Sequence, residues 1–416
     1  MQPLPPLADA DLRQDQRPFR VLCYSHDSFG LGHLRRSVTL ATALVERGRN
    51  VHAICLTGSP VPDLFALPER CDLVKLPSIG KGANGQYTAR RLPIGLGEIT
   101  TLRSDLITAT VRSFRPDLLL VDHTITGPGD ELLPVLRRLR HEHLQTRVVL
   151  GMRDVLDTPL RARAELQRNN SFEVLESCYD HVFVYGDQSV FDPVTEYGFP
   201  ESIAAKTSFT GAVVPAAARQ PRPVRAPDRV PHVLVTTGGG EDGYELLRGT
   251  VAALRGPLRE DTLRATVVTG PLLPTAAFEN LRRAVQGDAR IRLLRSTDAM
   301  QELLDGADLV VGMGGYNTVY ETLARGLPLL ALPRRTPREE QWERCRRLAA
   351  RGLLQLLDEG GLGDAHTTGA AIRDALAAPA ADRPTLLCNG AETAARLCLQ
   401  QKRQRPGSTQ VARFGG

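Results

Sequence analysis

Three loops carry residue types that could bind and activate a polar substrate, and each lies where a β-prone run gives way to a helical one. The first reads Ser25-His26-Asp27-Ser28-Phe29-Gly30-Leu31-Gly32-His33-Leu34-Arg35-Arg36. Gly30 and Gly32 let the backbone approach a ligand closely. His33 falls at the mouth of the next helix, with Arg36 one turn further on. An imidazole so placed can take a proton from a hydroxyl near neutral pH. A tight turn with a helix-capping histidine is the plainer reading. The second loop, Thr236-Thr237-Gly238-Gly239-Gly240-Glu241-Asp242-Gly243, has three consecutive glycines. The bare amides of Gly238, Gly239 and Gly240 suit a diphosphate, whereas Asp242 fits an N-cap for the following helix.

The third loop runs from Asp308 through Gly312-Met313-Gly314-Gly315-Tyr316-Asn317-Thr318 to Glu321. A strand enters a glycine turn and then a helix. The spacing of Thr318 and Glu321 is also that of a capping box, which would tie both to the backbone. The same spacing recurs at Thr336-Pro337-Arg338-Glu339, with proline at the first helical position. Capping there accounts for Glu339 but leaves Glu340 and Gln341 free to meet a polar ligand.

The elements that must position these loops repeat in two halves. In the first, β-prone runs occur at Phe19–Tyr24, Val51–Leu56, Asp72–Leu76, Leu118–Val121, Val148–Met152 and His181–Tyr185. A helix is expected from Leu34 to Arg47, with Leu34, Val38, Ala41 and Val45 on one stripe and Gly48 as its stop. In the second half the runs are Val233–Val235, Ala265–Val268, Ile291–Leu294, Leu309–Val311, Leu329–Leu332 and Leu354–Leu357. Several are continuously apolar, as parallel strands covered on both faces are. Two doubly wound, Rossmann-like α/β domains facing each other across a cleft are therefore expected, with ligands at the carboxyl ends of the strands and anions at helix N-termini. The expected boundaries are a flexible N-terminus at 1–17, a first domain at 18–212, a proline-rich connector at 213–231, a second domain at 232–400 and a flexible tail at 401–416. Residues 79–100 read as a long irregular loop.

Composition narrows the function classes. The 416 residues are 42% hydrophobic and 24% charged, too many for one ordinary core and suited to two. The apolar runs are too short to cross a bilayer, and no apolar secretory leader is expected near the start. Net charge is +5, and only Lys75, Lys81, Lys206 and Lys402 are lysines, so arginine supplies nearly all basic residues. Arginine suits bidentate contacts to phosphate and carboxylate. Without a run of basic and aromatic residues, nucleic acid is not an expected partner. The seven scattered cysteines form no Cys-x-x-Cys pair, which points to buried thiols in a reducing cytoplasm rather than to disulfides or zinc.

From about Ile291 to Leu357 the chain resembles the C-terminal domain of family 28 glycosyltransferases. The resembling residues, in order, are Asp298-Ala299-Met300, Ala307-Asp308, Gly314-Gly315-Tyr316-Asn317-Thr318 with Glu321, Gly326-Leu327-Pro328, Pro333 and Glu340-Gln341. Gly30-Leu31-Gly32-His33 matches the family's N-terminal glycine loop in kind. The resemblance implies a GT-B fold and a nucleoside-diphosphate sugar donor, UDP-linked, held mainly by the second domain. It also implies that Glu321 accepts from ribose hydroxyls and that the Gly314–Thr318 and Gly238–Gly240 loops cradle the diphosphate. Glu340 and Gln341 would meet sugar hydroxyls, and backbone around Leu294 and Arg295 would face the base. The chain differs from the peptidoglycan enzyme of that family in carrying Glu340-Gln341 where an Asp-containing pair is usual.

The reaction this resemblance implies is inverting transfer to an acceptor hydroxyl, with the donor as substrate and neither cofactor nor metal. His33 is the expected base, with Asp122 orienting its ring as the acidic member of a triad does. Asp122 could instead cap the turn after its strand, and His123 competes for any role there. Arg36 or Arg295 would assist the leaving diphosphate. Other readings are a nucleotide-sugar hydrolase, since Gly30-Leu31-Gly32-His33-Leu34-Arg35-Arg36 also resembles the Gly-x-Gly-His-x-x-Arg loop of such enzymes, a sugar 2-epimerase, or a non-catalytic nucleotide-sugar binder. The expected acceptor is lipid-linked or a polysaccharide. The loop Arg90-Arg91-Leu92-Pro93-Ile94-Gly95-Leu96 is compatible with peripheral contact at the inner face of the membrane, or with plain solvation.

Overall fold

The computed structural model describes residues 17–27, 32–81, 87–142, 145–220, 229–357, 364–378 and 386–403. Gly30 lies outside the described residues, as do most of the expected flexible ends and the middle of the proline-rich connector. In chain order the first half contributes β1 (Phe19–Ser25), β2 (Val51–Thr57), β3 (Cys71–Lys75), β4 (Ile79–Lys81), β5 (Tyr87–Ala89), β6 (Leu118–Asp122), β7 (Arg147–Arg153), β8 (His181–Tyr185) and β9 (Thr207–Phe209). The second half contributes β10 (His232–Thr236), β11 (Arg264–Val268), β12 (Ile291–Leu294), β13 (Leu309–Met313), β14 (Leu329–Leu332) and β15 (Gln355–Leu356).

Among the described residues all of these strands except β4 and β5 form two parallel sheets, ordered β3-β2-β1-β6-β7-β8-β9 and β12-β11-β10-β13-β14-β15. Their apolar runs leave no polar face, so helices cover both sides of each sheet. The order of strands reverses between β1 and β6 in one sheet and between β10 and β13 in the other, the switch points where such sheets open a crevice. Register then aligns the loops. Tyr24 pairs with Val121, so Asp122 ends its strand beside the exit of β1. Thr236 pairs with Gly312, so the Gly238–Gly240 turn lies beside the turn that opens the helix Tyr316–Ala324.

Residues 79–100 are not wholly irregular. β4 and β5 pair as an antiparallel hairpin, and a helix starts at Leu96 and runs to Phe114. Ile99, Ile107 and Val111 recur at helical spacing on its buried face, which is what turns this stretch helical. The last helix, Gly390–Arg403, returns to the first sheet. Its Ala391, Ala394, Ala395 and Cys398 share one core with Leu40, Ala41 and Leu44 of the helix Gly32–Arg47.

The halves are also joined by polar contacts. Asp154, just beyond β7, receives Nε and Nη2 of Arg344 at 2.9 and 2.8 Å and the Tyr320 hydroxyl at 2.6 Å. All three side chains are buried; burial alone would lower the Arg344 guanidinium, and the charge and hydrogen bond of Asp154 together reverse that and hold it above its ordinary pKa. Glu165 holds Arg338 with two bonds of 2.8 and 2.7 Å.

Candidate active site

A cavity of about 730 Å³ lies between the two sheets, at their carboxyl ends. The first domain contributes Gly32, His33, Arg35, Arg36 and Arg153 to its wall. The second contributes Gly238, Gly239, Gly240, Gly315, Tyr316, Asn317, Thr318, Glu321, Glu340 and Gln341. Residues as far apart in sequence as Gly32 and Gln341 thus face one space because both switch points open toward it.

His33 is the centre of the first-domain wall. Its Nδ1 stands 2.6 Å from Asp122 Oδ2. The carboxylate only accepts, so the proton of the neutral ring sits on Nδ1, and Nε2 is left as the basic atom. Arg36 bridges both oxygens of Asp122, donating Nε to Oδ1 at 2.7 Å and Nη2 to Oδ2, the oxygen His33 also holds, at 2.6 Å. Burial alone would raise the Asp122 carboxyl. The Arg36 charge and the hydrogen bond from His33 reverse that and hold it below the usual carboxylate range. Asp122 therefore orients His33 and caps no turn. The helix N-terminus is capped by Asp27, whose Oδ1 accepts the Leu34 amide at 2.8 Å, so His33 is not the cap either.

Two more histidines back this wall. The His26 and His123 rings lie 4.4 and 5.4 Å from the His33 ring. Burial, then the charge of His33, pushes His26 well below the ordinary imidazole range. Burial, then the charge of Arg153, does the same to His123. Arg153 donates Nη2 to His123 Nε2 at 2.9 Å. Its own pKa is lowered to about 10, by burial first and then by the Arg36 and Arg344 charges against the pull of Glu340. Arg153 Nε and His123 Nδ1 are buried donors without hydrogen-bond partners among the described residues.

The second-domain wall presents backbone. Gly238 and Gly240 have φ of +66° and +93°, and a Cβ on Gly240 would fall 2.4 Å from the Thr269 carbonyl. Only glycine makes this turn. The helix Tyr316–Ala324 is capped by Gly315, which has no side chain, so Thr318 and Glu321 lie inside the helix and form no capping box. Its first-turn residues Tyr316, Asn317 and Thr318 line the cavity. Glu321 is 3% exposed and accepts on Oε2 from Gln301 at 2.9 Å and from Arg35 of the other domain. Asp242 is no cap, because Gly243 holds that position; it accepts Arg334 Nη1 at 2.7 Å. The helix Glu340–Ala349 likewise starts too late for a Thr336–Glu339 box, and the Glu339 amide donates to Asp157 at 3.1 Å. Glu340 accepts Arg334 Nη2 at 2.6 Å on Oε1, while its buried Oε2 has no partner among the described residues. Gln341 Oε1 accepts the Arg334 amide at 3.2 Å.

Three expected residues sit elsewhere. Leu294 and Arg295 are not in the cavity wall, which here is built from Ser296, Thr297, Asp298, Met300 and Gln301. The Leu294 carbonyl is taken by the Thr269 amide at 2.9 Å, and the Arg295 guanidinium turns away to the Leu273 carbonyl and the Phe278 ring. Gly314 lies behind the wall, where a Cβ would meet Cys345 Sγ at 2.7 Å and its carbonyl accepts Arg344 at 3.0 Å. Conversely, sequence reasoning gave no role to Arg35, Arg153, Gln301 or Arg334. Arg153 closes β7 as Asp122 closes β6, and Arg334 follows β14 by two residues. Position at the carboxyl end of a parallel strand was the signal for both.

No group of three or more His, Cys, Asp or Glu side chains that could hold a metal ion occurs among the described residues. Nor, among them, is any helix long and apolar enough to cross a membrane.

Residues 233–360 match the glycosyltransferase family 28 C-terminal domain. An uncharacterized glycosyltransferase of Methanosarcina mazei is 22% identical over 316 residues, covering 73% of this chain and 77% of that one. The UDP-GlcNAc 2-epimerase from Neisseria meningitidis, solved bound to UDP-GlcNAc, superposes with a TM-score of 0.59 at 13% identity, over 93% of this chain and 100% of that one. MurG of Acinetobacter baumannii gives 0.53 at 14% identity, over 91% and 95%. Residues 233–360 are family 28-like, and the chain's two Rossmann-like domains have the GT-B arrangement.

Proposed function

We propose that this family 28-like protein is an inverting, metal-independent glycosyltransferase that moves a hexosyl group from a UDP-linked sugar to an acceptor hydroxyl. The observation that carries this reading is His33, held by Asp122 at 2.6 Å, in the same cavity as the glycine turns and Glu321 of the family 28 domain. The Gly238–Gly240 turn and the amides of Gly315–Thr318 receive the diphosphate. Glu321 accepts from the ribose hydroxyls. Glu340 and Gln341 meet the sugar. Asp298 and its neighbours, in place of Leu294 and Arg295, line the space left for the base.

In the reaction, the acceptor oxygen forms a bond to the anomeric carbon as that carbon's bond to the β-phosphate oxygen breaks. The hydroxyl proton passes to His33 Nε2. Asp122 stabilises the resulting imidazolium, and the amides and Arg36 stabilise charge growing on the diphosphate. The acceptor in this reading is lipid-linked or a polysaccharide, reached from the first-domain wall that carries His33. Leu92 and Leu96 remain exposed, but Arg90 turns inward to Glu241 at 3.1 Å, which weakens the case for a basic membrane-contacting loop.

The likeness to a UDP-GlcNAc 2-epimerase supports a second reading in which the same cavity handles the donor alone. Incubating the protein with UDP-sugars, without and then with an acceptor panel, separates the readings. Transfer predicts nucleotide release that depends on acceptor. Complete release without acceptor favours a hydrolase, and an isomerised sugar still attached to UDP favours an epimerase. Tight binding with no turnover under any condition favours a non-catalytic sensor.

A further inference from the structure

Glu321 is already engaged. Its Oε2 accepts from Gln301 at 2.9 Å and from Nη2 of Arg35, which reaches it from the opposite domain. The carboxylate is buried, whereas the Arg35 side chain is 22% exposed and borders the cavity beside the Phe65 ring. Arg35 stands on the first turn of the helix Gly32–Arg47, facing the same space as the Gly238–Gly240 and Gly315–Thr318 amides.

We propose that Arg35 is a selectivity residue that makes the site answer to nucleoside diphosphates and not to nucleosides. This rests on the reading of Glu321 as the ribose acceptor and of the two glycine turns as the diphosphate cradle. Arg35 and Gln301 fill both lone-pair sites of Oε2, so a ribose that donates one hydroxyl to each carboxylate oxygen breaks the ion pair. Removing one partner from a buried pair is costly unless the charge released finds another partner. A nucleoside offers none. A diphosphate gives the displaced guanidinium a bidentate anion within the same cavity, so the exchange becomes favourable only when ribose and diphosphate arrive together. The domain contact through Arg35 is thereby traded for a contact through the ligand.

The test is calorimetric binding of uridine and UDP, with adenosine and ADP and guanosine and GDP beside them, to the wild-type chain and to Arg35→Met. Arg35→Ala serves as a second variant, and thermal unfolding checks that each is folded. The wild type should prefer the diphosphate strongly. In either variant that preference should shrink by about tenfold or more, equivalent to ~1.4 kcal/mol, with the nucleoside binding more tightly than before and the diphosphate more weakly. A nucleoside affinity that is unchanged or weakened in the variants overturns the role of Arg35 while leaving the nucleotide site standing. A wild type that binds none of the six compounds overturns the nucleotide reading and this inference with it.

Discussion

His33 and Asp122, 89 residues apart in sequence, meet through a single 2.6 Å contact between Nδ1 and Oδ2. The contact exists because β1 and β6 are neighbours at the switch point of the first sheet. It leaves Nε2 as the one basic atom of the ring, and Arg36 locks the carboxylate by bridging both of its oxygens.

Replacing His33 by Ala should leave donor binding within a few-fold of wild type and lower turnover by about 10²–10⁴-fold, the usual share of a general base. Asp122→Asn should lower turnover as well. It should also destabilise the fold, since the buried Arg36 loses its counter-charge. Steady-state rates and UDP titration of both variants check this. An unaffected rate in His33→Ala would remove the base from the mechanism.

Asp154 and Arg344 tie the two domains through a bidentate, fully buried pair. Breaking such a pair from one side costs about 3–5 kcal/mol. Arg344→Met should therefore lower the unfolding midpoint in denaturant, and Asp154→Asn should do so too. The double variant should recover part of the loss because no charge is left unpaired. Strictly additive losses would contradict the pairing.

The pH dependence of stability follows from His26 and His123, whose folded pKa values are pushed down by burial, assisted by His33 and Arg153 respectively. Below about pH 6.5 the unfolded chain binds protons that the folded one refuses, so stability is full above that value and falls as pH drops through it. Asp122 is also depressed, and its share is lost only at far lower pH, below the ordinary carboxylate range. Thermal melts from about pH 7.5 to 5 should show a falling midpoint, less steep in a His26→Asn, His123→Asn variant. A midpoint flat across that window would contradict the assignment.

The two sheets were legible because runs such as Val233–Val235 and Leu309–Val311 have no polar face, and only a covered parallel sheet accepts them. The glycine turns were legible because three adjacent glycines have no packing use. Local rules misled where tertiary charge won. The spacing of Thr318 and Glu321 resembles a capping box, yet the helix begins at Tyr316 and Glu321 answers to Arg35 and Gln301. Asp242 has the type of a cap and is drawn to Arg334 instead. The interdomain partners Asp154, Arg344 and Tyr320 were invisible, since no local pattern relates residues that meet only after two domains close.

Catalysis without a metal is a separate expectation. Rates should be unchanged after exhaustive treatment with a chelator, because amides and arginines carry the charge on the leaving diphosphate. Full inhibition, restored by a divalent cation, would contradict it.

The most direct measurement is the structure of the protein crystallised with UDP or a UDP-sugar, read together with calorimetric affinities for wild type and Glu321→Ala. Pyrophosphate oxygens should lie on the amides of Gly238–Gly240 and Gly315–Thr318 and ribose hydroxyls on Glu321, with an affinity reduced by at least about tenfold in the variant, equivalent to ~1.4 kcal/mol. A cavity that stays empty at saturating ligand, with Glu321 still on Arg35 and the variant indistinguishable from wild type, would contradict this.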